Sequence, residues 1–189
     1  LALLVMPLIS LVQEKSASLQ ERLKKVPVGP KDANGTCPKL KCCALLSGTN
    51  ETHVGQNICV CTYEKALIVV QEMLENRQLH RLKVVVVDEL HMVGTSGRGH
   101  KLELLISILV YLQQVGCESL RLIAMSATLS NLEHFAQWLH AVSYKTDFRP
   151  KKCKLLLKFG TDINNGKVHK LLNEQNKSEY FKGLRGLYS

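Results

Sequence analysis

The sequence has no hydrophobic run long enough to cross a membrane. Residues 1–12 are largely apolar, but about 20 residues are needed to span a bilayer as a helix. No positively charged segment precedes this stretch, and Gln13-Glu14-Lys15 interrupt it before any cleavage site, so it does not fit a signal peptide. A buried strand that ends near Pro7 and continues into a helix explains it better, and no membrane partner is predicted.

The cysteines form neither a disulfide framework nor a zinc site. There are seven of them, an odd number. The cluster Cys37, Cys42 and Cys43 lacks C-x2-C spacing, and no second pair or nearby histidine completes a set of four ligands. Reduced thiols in an intracellular chain are the simpler prediction. The sequence also has no internal repeat and no low-complexity segment.

Positive charge is concentrated at the C-terminal end. The formal net charge is +9, and residues 145–189 hold eleven Lys or Arg against four Asp or Glu. The rest of the chain is therefore close to neutral. A solvated basic tail and a tail that contacts nucleic acid both fit this distribution.

Hydrophobic patterning predicts an α/β fold with a mostly parallel sheet flanked by helices, because strands alternate with helices. Pro7 is expected in the first turn of the first helix. After residue 150 the alternation weakens, and one further strand is expected at 154–159. Strands are predicted at residues 1–6, 40–46, 58–62, 84–87 and 120–125, with helices at 7–25, 63–74, 101–115 and from 130 onward. The helix at 101–115 is apolar almost all round and is therefore expected to be buried deep against the sheet.

Four valines followed by two acids form the most informative stretch. Residues 84–87 are predicted to be a central strand of the sheet, buried on both faces. Asp88 and Glu89 then lie at its carboxyl end, the edge at which open α/β sheets bind ligands. Adjacent carboxylates there can meet a metal ion and a water. A purely structural pair at the strand end is the alternative.

The same acids begin a resemblance to a known family. Asp88-Glu89-Leu90-His91, followed at the end of a later strand by Ser126-Ala127-Thr128, resembles the DExH-box helicases of superfamily two. The resemblance covers roughly residues 1–150. It points to the DNA-repair branch that includes the helicase domain of DNA polymerase theta and its close helicase relatives. Its further matches lie at residues 6–15, Thr62-Tyr63-Glu64-Lys65-Ala66, Arg98-Gly99, Trp138-Leu139 and residues 147–150.

The resemblance implies a RecA-like fold of the P-loop NTPase type and an ATP-dependent helicase that acts on DNA. Asp88 would hold Mg²⁺, and Glu89 would orient or deprotonate the water that attacks ATP. His91 would relay the nucleotide state to neighbouring elements; a loop histidine with a structural hydrogen bond is the alternative. Arg98 is assigned to nucleotide binding.

Two further groups of residues follow from the resemblance. Ser126, Ala127 and Thr128 would couple hydrolysis to strand separation, although Thr128 also suits an ordinary helix N-cap. The helix start at Pro7 and the turn at Thr62 would direct backbone N–H groups at nucleic-acid phosphates. Lys15 and Lys65 would add charge to this surface, or are ordinary exposed lysines of a helix.

One element of such a site is missing from the sequence. The 189 residues contain no G-x-x-x-x-G-K-[ST] loop, whose backbone amides and lysine hold a triphosphate. The expectation is therefore a partial first RecA-like domain over residues 1–150 that lacks the P-loop strand and helix. Residues 151–189 would be a linker or a disordered extension, and the second RecA-like domain would lie beyond them. Such a chain is expected to be inactive alone and to expose apolar sheet surface.

For the intact protein, the expected role is DNA unwinding in repair, in the nucleus, with ATP and Mg²⁺ as cofactors. The alternative is a non-catalytic module that keeps the helicase fold and binds nucleic acid or another protein.

Overall fold

The chain divides into two units, Leu1–Ser143 and Tyr144–Ser189. The computed structural model describes residues 1–24, 26, 39–46, 52–116, 119–127, 131–146, 148, 156–158 and 168–170. Within this part of the chain, no helix is both long enough and apolar enough to cross a membrane. The domain boundary expected at residue 150 stays a prediction.

A parallel sheet of five strands organises the first unit, which confirms the predicted α/β class. Every neighbouring pair in the sheet runs parallel, and the strand order is β2-β3-β1-β4-β5. Parallel neighbours require crossover connections, and helices provide several of them. The strands are β1 (Ala2–Met6), β2 (Cys42–Leu45), β3 (Ile58–Thr62), β4 (Val84–Val87) and β5 (Arg121–Ala124).

Helices cover both faces of this sheet. On one face, α1 packs Val12 against Met6 and Val60 in a small core. On the other face, α2 and α3 bury their apolar sides in the main core, to which the shorter α4 adds Phe135 and Trp138. The helices are α1 (Ile9–Leu23), α2 (Tyr63–Glu75), α3 (Gly99–Gln114) and α4 (Leu132–Trp138).

The strand of four valines is internal but is not the centre of the sheet. The central strand is β1, and β4 lies between β1 and β5. Val85 and Val87 are fully buried in the main core, whereas Val84 and Val86 on the opposite face are half-buried. The expectation of complete burial on both faces was therefore wrong, because a run of valines reports apolarity and not which face a helix covers.

Two helix predictions need correction. α1 begins at Ile9 with Leu8 as its N-cap residue, so Pro7 precedes the helix and does not lie in its first turn. α3 was expected to be buried almost all round, yet Leu104 and Tyr111 are 53% and 61% exposed. The helix packs against the sheet and α2 with one face only, so the apolar residues on its outer face remain in contact with solvent.

β5 is an edge strand with exposed apolar side chains. Ile123 in β5 and Met125 just after it are 48% and 44% exposed. They lie on the same face of the sheet as Val86, the partner of Ile123 across the ladder. This agrees with the expectation that apolar sheet surface would be exposed.

The second unit contains a two-stranded antiparallel ladder. It pairs β6 (Leu156–Lys158) with β7 (Val168–Lys170). β6 lies within the strand predicted at residues 154–159. β7 lies in a segment for which no strand was expected, and the assignment of residues 151–189 as a linker or extension stays a prediction.

Candidate functional site

The candidate site lies along the carboxyl edge of the sheet. Because the strands are parallel, the segments that follow β1, β3, β4 and β5 all leave the sheet at this edge. The predicted residues Pro7, Thr62, Asp88 and Ser126 are thereby brought to one side of the sheet from positions far apart in the sequence.

Asp88 and Glu89 are held in a specific backbone geometry. The Asp88 N–H donates to Val5 O at 2.9 Å, which extends the β1–β4 ladder by one bond. The Asp88 side chain then accepts a hydrogen bond from the Glu89 N–H, also at 2.9 Å. Glu89 has φ 56° and ψ 50°, a left-handed conformation that costs a residue with a Cβ about 1–2 kcal/mol. Backbone strain of this kind clusters at active sites, and Arg77 and His140 also have positive φ in this chain.

His91 joins the acidic segment to the segment after β5. Its Nδ1 atom lies 3.1 Å from Glu89 Oε2 and 3.2 Å from Ser126 Oγ. A proton on Nδ1 can be donated to the Glu89 carboxylate, whereas an unprotonated Nδ1 accepts from the Ser126 hydroxyl. Glu89 Oε2 is shielded from solvent and has no hydrogen-bond partner among the described residues unless His91 supplies that proton. The bond to Glu89 requires a proton on Nδ1, whereas the bond from Ser126 requires Nδ1 without one. The two bonds therefore cannot form at the same time.

Backbone bonds hold these two segments together. The Met125 N–H donates to Val87 O, and the Leu90 N–H donates to Met125 O, each at 2.8 Å. Ser126 is half-buried and Ala127 is exposed. Thr128, the third residue assigned to coupling, lies outside the described residues.

The acids suit a metal bound together with a nucleotide. Among the residues described, no group of three or more acidic, histidine or cysteine side chains is arranged to hold a metal ion. Mg²⁺ in nucleotide sites is commonly held by one or two carboxylates, with phosphates and waters completing the shell. Asp88 is partly exposed at the edge and has one carboxylate oxygen bonded to its neighbour's N–H. The donor set therefore fits Mg²⁺ that arrives with a triphosphate.

The start of α2 is fastened to the acidic segment. Tyr63 is fully buried, and its hydroxyl donates to Asp88 O at 3.1 Å. Burial and the nearby Asp88 carboxylate raise the pKa of Tyr63 to about 12, so its hydroxyl remains a donor at neutral pH. The sequence did not single out Tyr63 for this role, although it lies in the Thr62-Tyr63-Glu64-Lys65-Ala66 segment that carries the resemblance.

Arg98 makes three kinds of contact within the protein. Its Nε and Nη2 donate to the two carboxylate oxygens of Glu64 at 2.7 and 2.6 Å. Its Nη1 donates to Pro7 O, and the guanidinium lies 5.6 Å from the centroid of the Tyr63 ring. The hydrogen bonds from Arg98 lower the pKa of Glu64 to about 2. These contacts suit a role in organising the site better than the nucleotide contact expected from the sequence.

The residues expected to contact nucleic acid differ in accessibility. Pro7 and Thr62 are buried, so neither side chain is available at the surface. The accessible residues next to Pro7 are Leu8 and Ile9 at the start of α1, which are 52% and 55% exposed. Lys15 is exposed on α1.

Lys65 is half-buried on α2. Thr62 is the N-cap residue of that helix, but its side chain makes no capping hydrogen bond. Backbone amides at the two helix starts therefore remain better candidates for phosphate contact than the side chains of Pro7 and Thr62.

The parallel sheet, its flanking helices and the polar residues at its carboxyl edge define an α/β domain of the RecA-like type. Comparison with known proteins places it more narrowly. Residues 1–135 match the DEAD/DEAH box helicase family. The chain belongs to that family.

Three relatives illustrate the similarity. The chain is 33% identical to DNA polymerase theta of Drosophila melanogaster over 185 residues, which are 96% of this chain and 8% of that protein. It is 29% identical to Helicase POLQ-like of Homo sapiens, over 85% of this chain and 14% of the relative. It is 34% identical to ATP-dependent DNA helicase Hel308 of Pyrococcus horikoshii, over 53% of this chain and 13% of the relative. The chain thus spans a small part of each relative.

Proposed function

We propose that these residues form the acidic part of an ATP-hydrolysing site in a DNA helicase motor. The observation that carries the proposal is the arrangement around Glu89. Its carboxylate is held at the sheet edge by a left-handed backbone and lies beside His91, which also reaches Ser126. A strand end or loop with only a structural role needs neither the left-handed backbone at Glu89 nor the two contacts of His91.

Each acid has a distinct task in this proposal. Asp88, which is partly exposed at the sheet edge, would hold Mg²⁺, and the ion would supply neutralisation of phosphate charge. Glu89 would accept a proton from, or orient, the attacking water. Because Glu89 Oε2 is shielded from solvent and lies beside His91, the attacking water would meet the carboxylate at its other oxygen.

His91 would carry the state of the site to the segment after β5. While Nδ1 is bonded to Glu89, the Ser126 hydroxyl is released from it, and while Nδ1 accepts from Ser126, the Glu89 oxygen loses its partner. Proton transfer at Glu89 during hydrolysis would therefore shift the contact between His91 and Ser126. Ser126 and Ala127 would transmit this shift, and we assign the same role to Thr128.

The nucleic acid would run across the starts of α1 and α2. The backbone N–H groups of the exposed residues 8–10 and of the first turn of α2 would contact phosphates without reading sequence. Lys15 and Lys65 would add charge near this path. The relatives named DNA polymerase theta and ATP-dependent DNA helicase Hel308 favour DNA as the nucleic acid. The nucleus is proposed as the compartment because two of the relatives are eukaryotic proteins.

The triphosphate contacts are proposed to come from outside these 189 residues, because no G-x-x-x-x-G-K-[ST] loop occurs in them. A second RecA-like domain would form the other wall of the cleft. We accordingly expect the 189-residue chain alone to show no measurable ATP turnover. Turnover by this chain that depends on Asp88 would contradict that expectation.

The test uses the complete open reading frame that contains these residues. DNA-stimulated ATPase and strand unwinding are measured for the unchanged protein, for Asp88→Asn and for Glu103→Gln, an exposed acid of α3 that serves as the matched control. Asp88→Asn is expected to lower both activities about 100-fold or more, and Glu103→Gln to change neither. An active protein that is insensitive to Asp88→Asn would refute the role of this acid.

A second candidate is a non-catalytic nucleic-acid-binding module that keeps the fold, which the missing triphosphate loop favours. It predicts that the complete reading frame also lacks ATPase activity. Binding to single-stranded DNA would then be salt-dependent and insensitive to Asp88→Asn.

A further inference from the structure

One side chain, Arg98, joins three segments that the sequence places far apart. It belongs to the loop between β4 and α3, and it reaches Glu64 at the start of α2 and Pro7 O in the turn after β1. The two contacts span 34 and 91 residues of sequence. Both contacted segments lead into helix starts that the proposed function assigns to nucleic acid.

The contacts require the shape of arginine. All three nitrogens of the planar guanidinium donate hydrogen bonds. Two donate to the Glu64 carboxylate and one donates to the Pro7 carbonyl. A lysine ammonium is a single point of charge and cannot hold both partners with the same fork geometry. The ring of Tyr63 beneath the guanidinium adds a third constraint on its orientation.

The neighbouring glycine allows the loop to come this close. A Cβ atom at Gly99 would lie 2.6 Å from Met92 O and 3.1 Å from Gly94 N. Any other residue would therefore push the loop away from its own preceding turn. Gly99 also begins α3, so Arg98 is fixed at the junction between a tight loop and a long helix.

The charges around Arg98 help to distinguish a positioning role from direct contact with a phosphate. The Arg98 guanidinium is paired with both oxygens of the ionised Glu64 carboxylate, and Lys101 Nζ lies 4.0 Å from one of them. Three of the five guanidinium N–H groups donate to protein atoms, so a phosphate could contact only the remaining two. Lys101 is a suitable control, because replacing it removes the same charge beside Glu64 without breaking the fork.

We propose that Arg98 is a positioning residue that fixes the turn after β1 and the start of α2 relative to the acidic edge of the sheet. It thereby sets the spacing of the two helix starts along which nucleic acid would run. The second half of this statement rests on the proposed function, whereas the first half concerns the protein alone.

Hydrogen–deuterium exchange tests the first half on the 189-residue chain without any ligand. In Arg98→Gln, amides in the first turns of α1 and α2 are expected to exchange about 10-fold faster or more, because charge-assisted bonds hold both turns. The Val12 amide, bonded to Leu8 O, reports on α1. Exchange in β1 and β4 should stay unchanged, as should exchange throughout Lys101→Gln.

Arg98→Lys refines this test. It keeps the charge and a single contact to Glu64 but loses the fork, so exchange should still rise at the turn after β1. Unchanged exchange at both turns in Arg98→Gln would overturn the inference. Uniformly faster exchange, including β1 and β4, would also overturn it, because Arg98 would then support the fold as a whole.

Single-stranded DNA binding tests the second half. In Arg98→Gln, affinity for an oligothymidine is expected to fall about 10-fold, while the slope of log K against log salt is retained. Loss of a direct phosphate contact would instead reduce that slope by about 0.7, and such a reduction would refute positioning. If the unchanged chain does not bind DNA while the exchange result holds, the proposed function of the helix starts fails and the structural role of Arg98 stands.

Discussion

The ion pair between Glu64 and Arg98 makes a prediction about stability and pH. Replacing Glu64 by Gln removes the carboxylate that accepts two hydrogen bonds from the guanidinium and leaves the shape almost unchanged. The loss should lower the free energy of unfolding at neutral pH. It should have little effect in acid, where the carboxylate of the unchanged chain becomes protonated.

The magnitude follows from the pKa of Glu64. Arg98 holds this pKa at about 2, against an ordinary value of 4.5, and each pKa unit corresponds to about 1.4 kcal/mol. The full shift would give roughly 3 kcal/mol as an upper bound. The side chains of Glu64 and Arg98 are 27% and 39% exposed, so solvent screening reduces the expected contribution to about 1–2 kcal/mol.

Because folding lowers the pKa of Glu64, the stability that this carboxylate contributes must decrease as the pH falls. A lowered pKa in the folded state contributes stability that is fully present above pH 4.5 and is lost as the pH falls toward 2. Urea unfolding of the unchanged chain and of Glu64→Gln should therefore differ by about 1–2 kcal/mol at pH 7, and by less than half of that near pH 3.

Glu103→Gln, at an exposed position of α3, is the control and should show no such difference. An equal loss of stability at both pH values would show that Glu64 acts through packing and not through its charge.

Three further predictions concern the same edge of the sheet. Glu89→Gly should unfold at higher urea than Glu89→Ala, by about 1 kcal/mol in free energy, because glycine adopts the left-handed conformation without strain; equal stabilities would argue against strain at this position. Tyr63→Phe removes the hydrogen bond to Asp88 O and should cost about 1 kcal/mol in the same assay; no loss would mean that the bond contributes nothing. Gly99→Ala places a methyl group 2.6 Å from Met92 O and should destabilise the chain by about 1–3 kcal/mol; an unchanged midpoint would mean that the loop relaxes freely.

Much of the fold could be predicted because the strands are short apolar runs separated by turns. The predicted strand at residues 58–62 and the helix that follows it match β3 and α2 closely. Their periodicity is a local property of the sequence. The position of β1 at the centre of the sheet was not predictable in this way, because strand order depends on which crossovers pack best and not on any one strand.

The acids at the end of β4 could be located from sequence because a charged pair straight after an apolar strand is unusual. The role of Arg98 could not be located in the same manner. Its partners lie 34 and 91 residues away, and a pattern around Arg98 and Gly99 carries no information about them. The sequence singled out His91 and Ser126 separately. Only the structure shows that His91 Nδ1 contacts both Ser126 Oγ and Glu89 Oε2.

In the proposed function, Glu89 takes part in the hydrolysis of ATP and not in its binding. The most direct measurement is a single-turnover experiment on the complete reading frame with Glu89→Gln, in which ATP binding and ATP cleavage are followed separately in the presence of single-stranded DNA. ATP binding is expected to change less than about 3-fold, while the cleavage rate falls about 100-fold or more. Cleavage at the unchanged rate, or loss of ATP binding in parallel with cleavage, would contradict it.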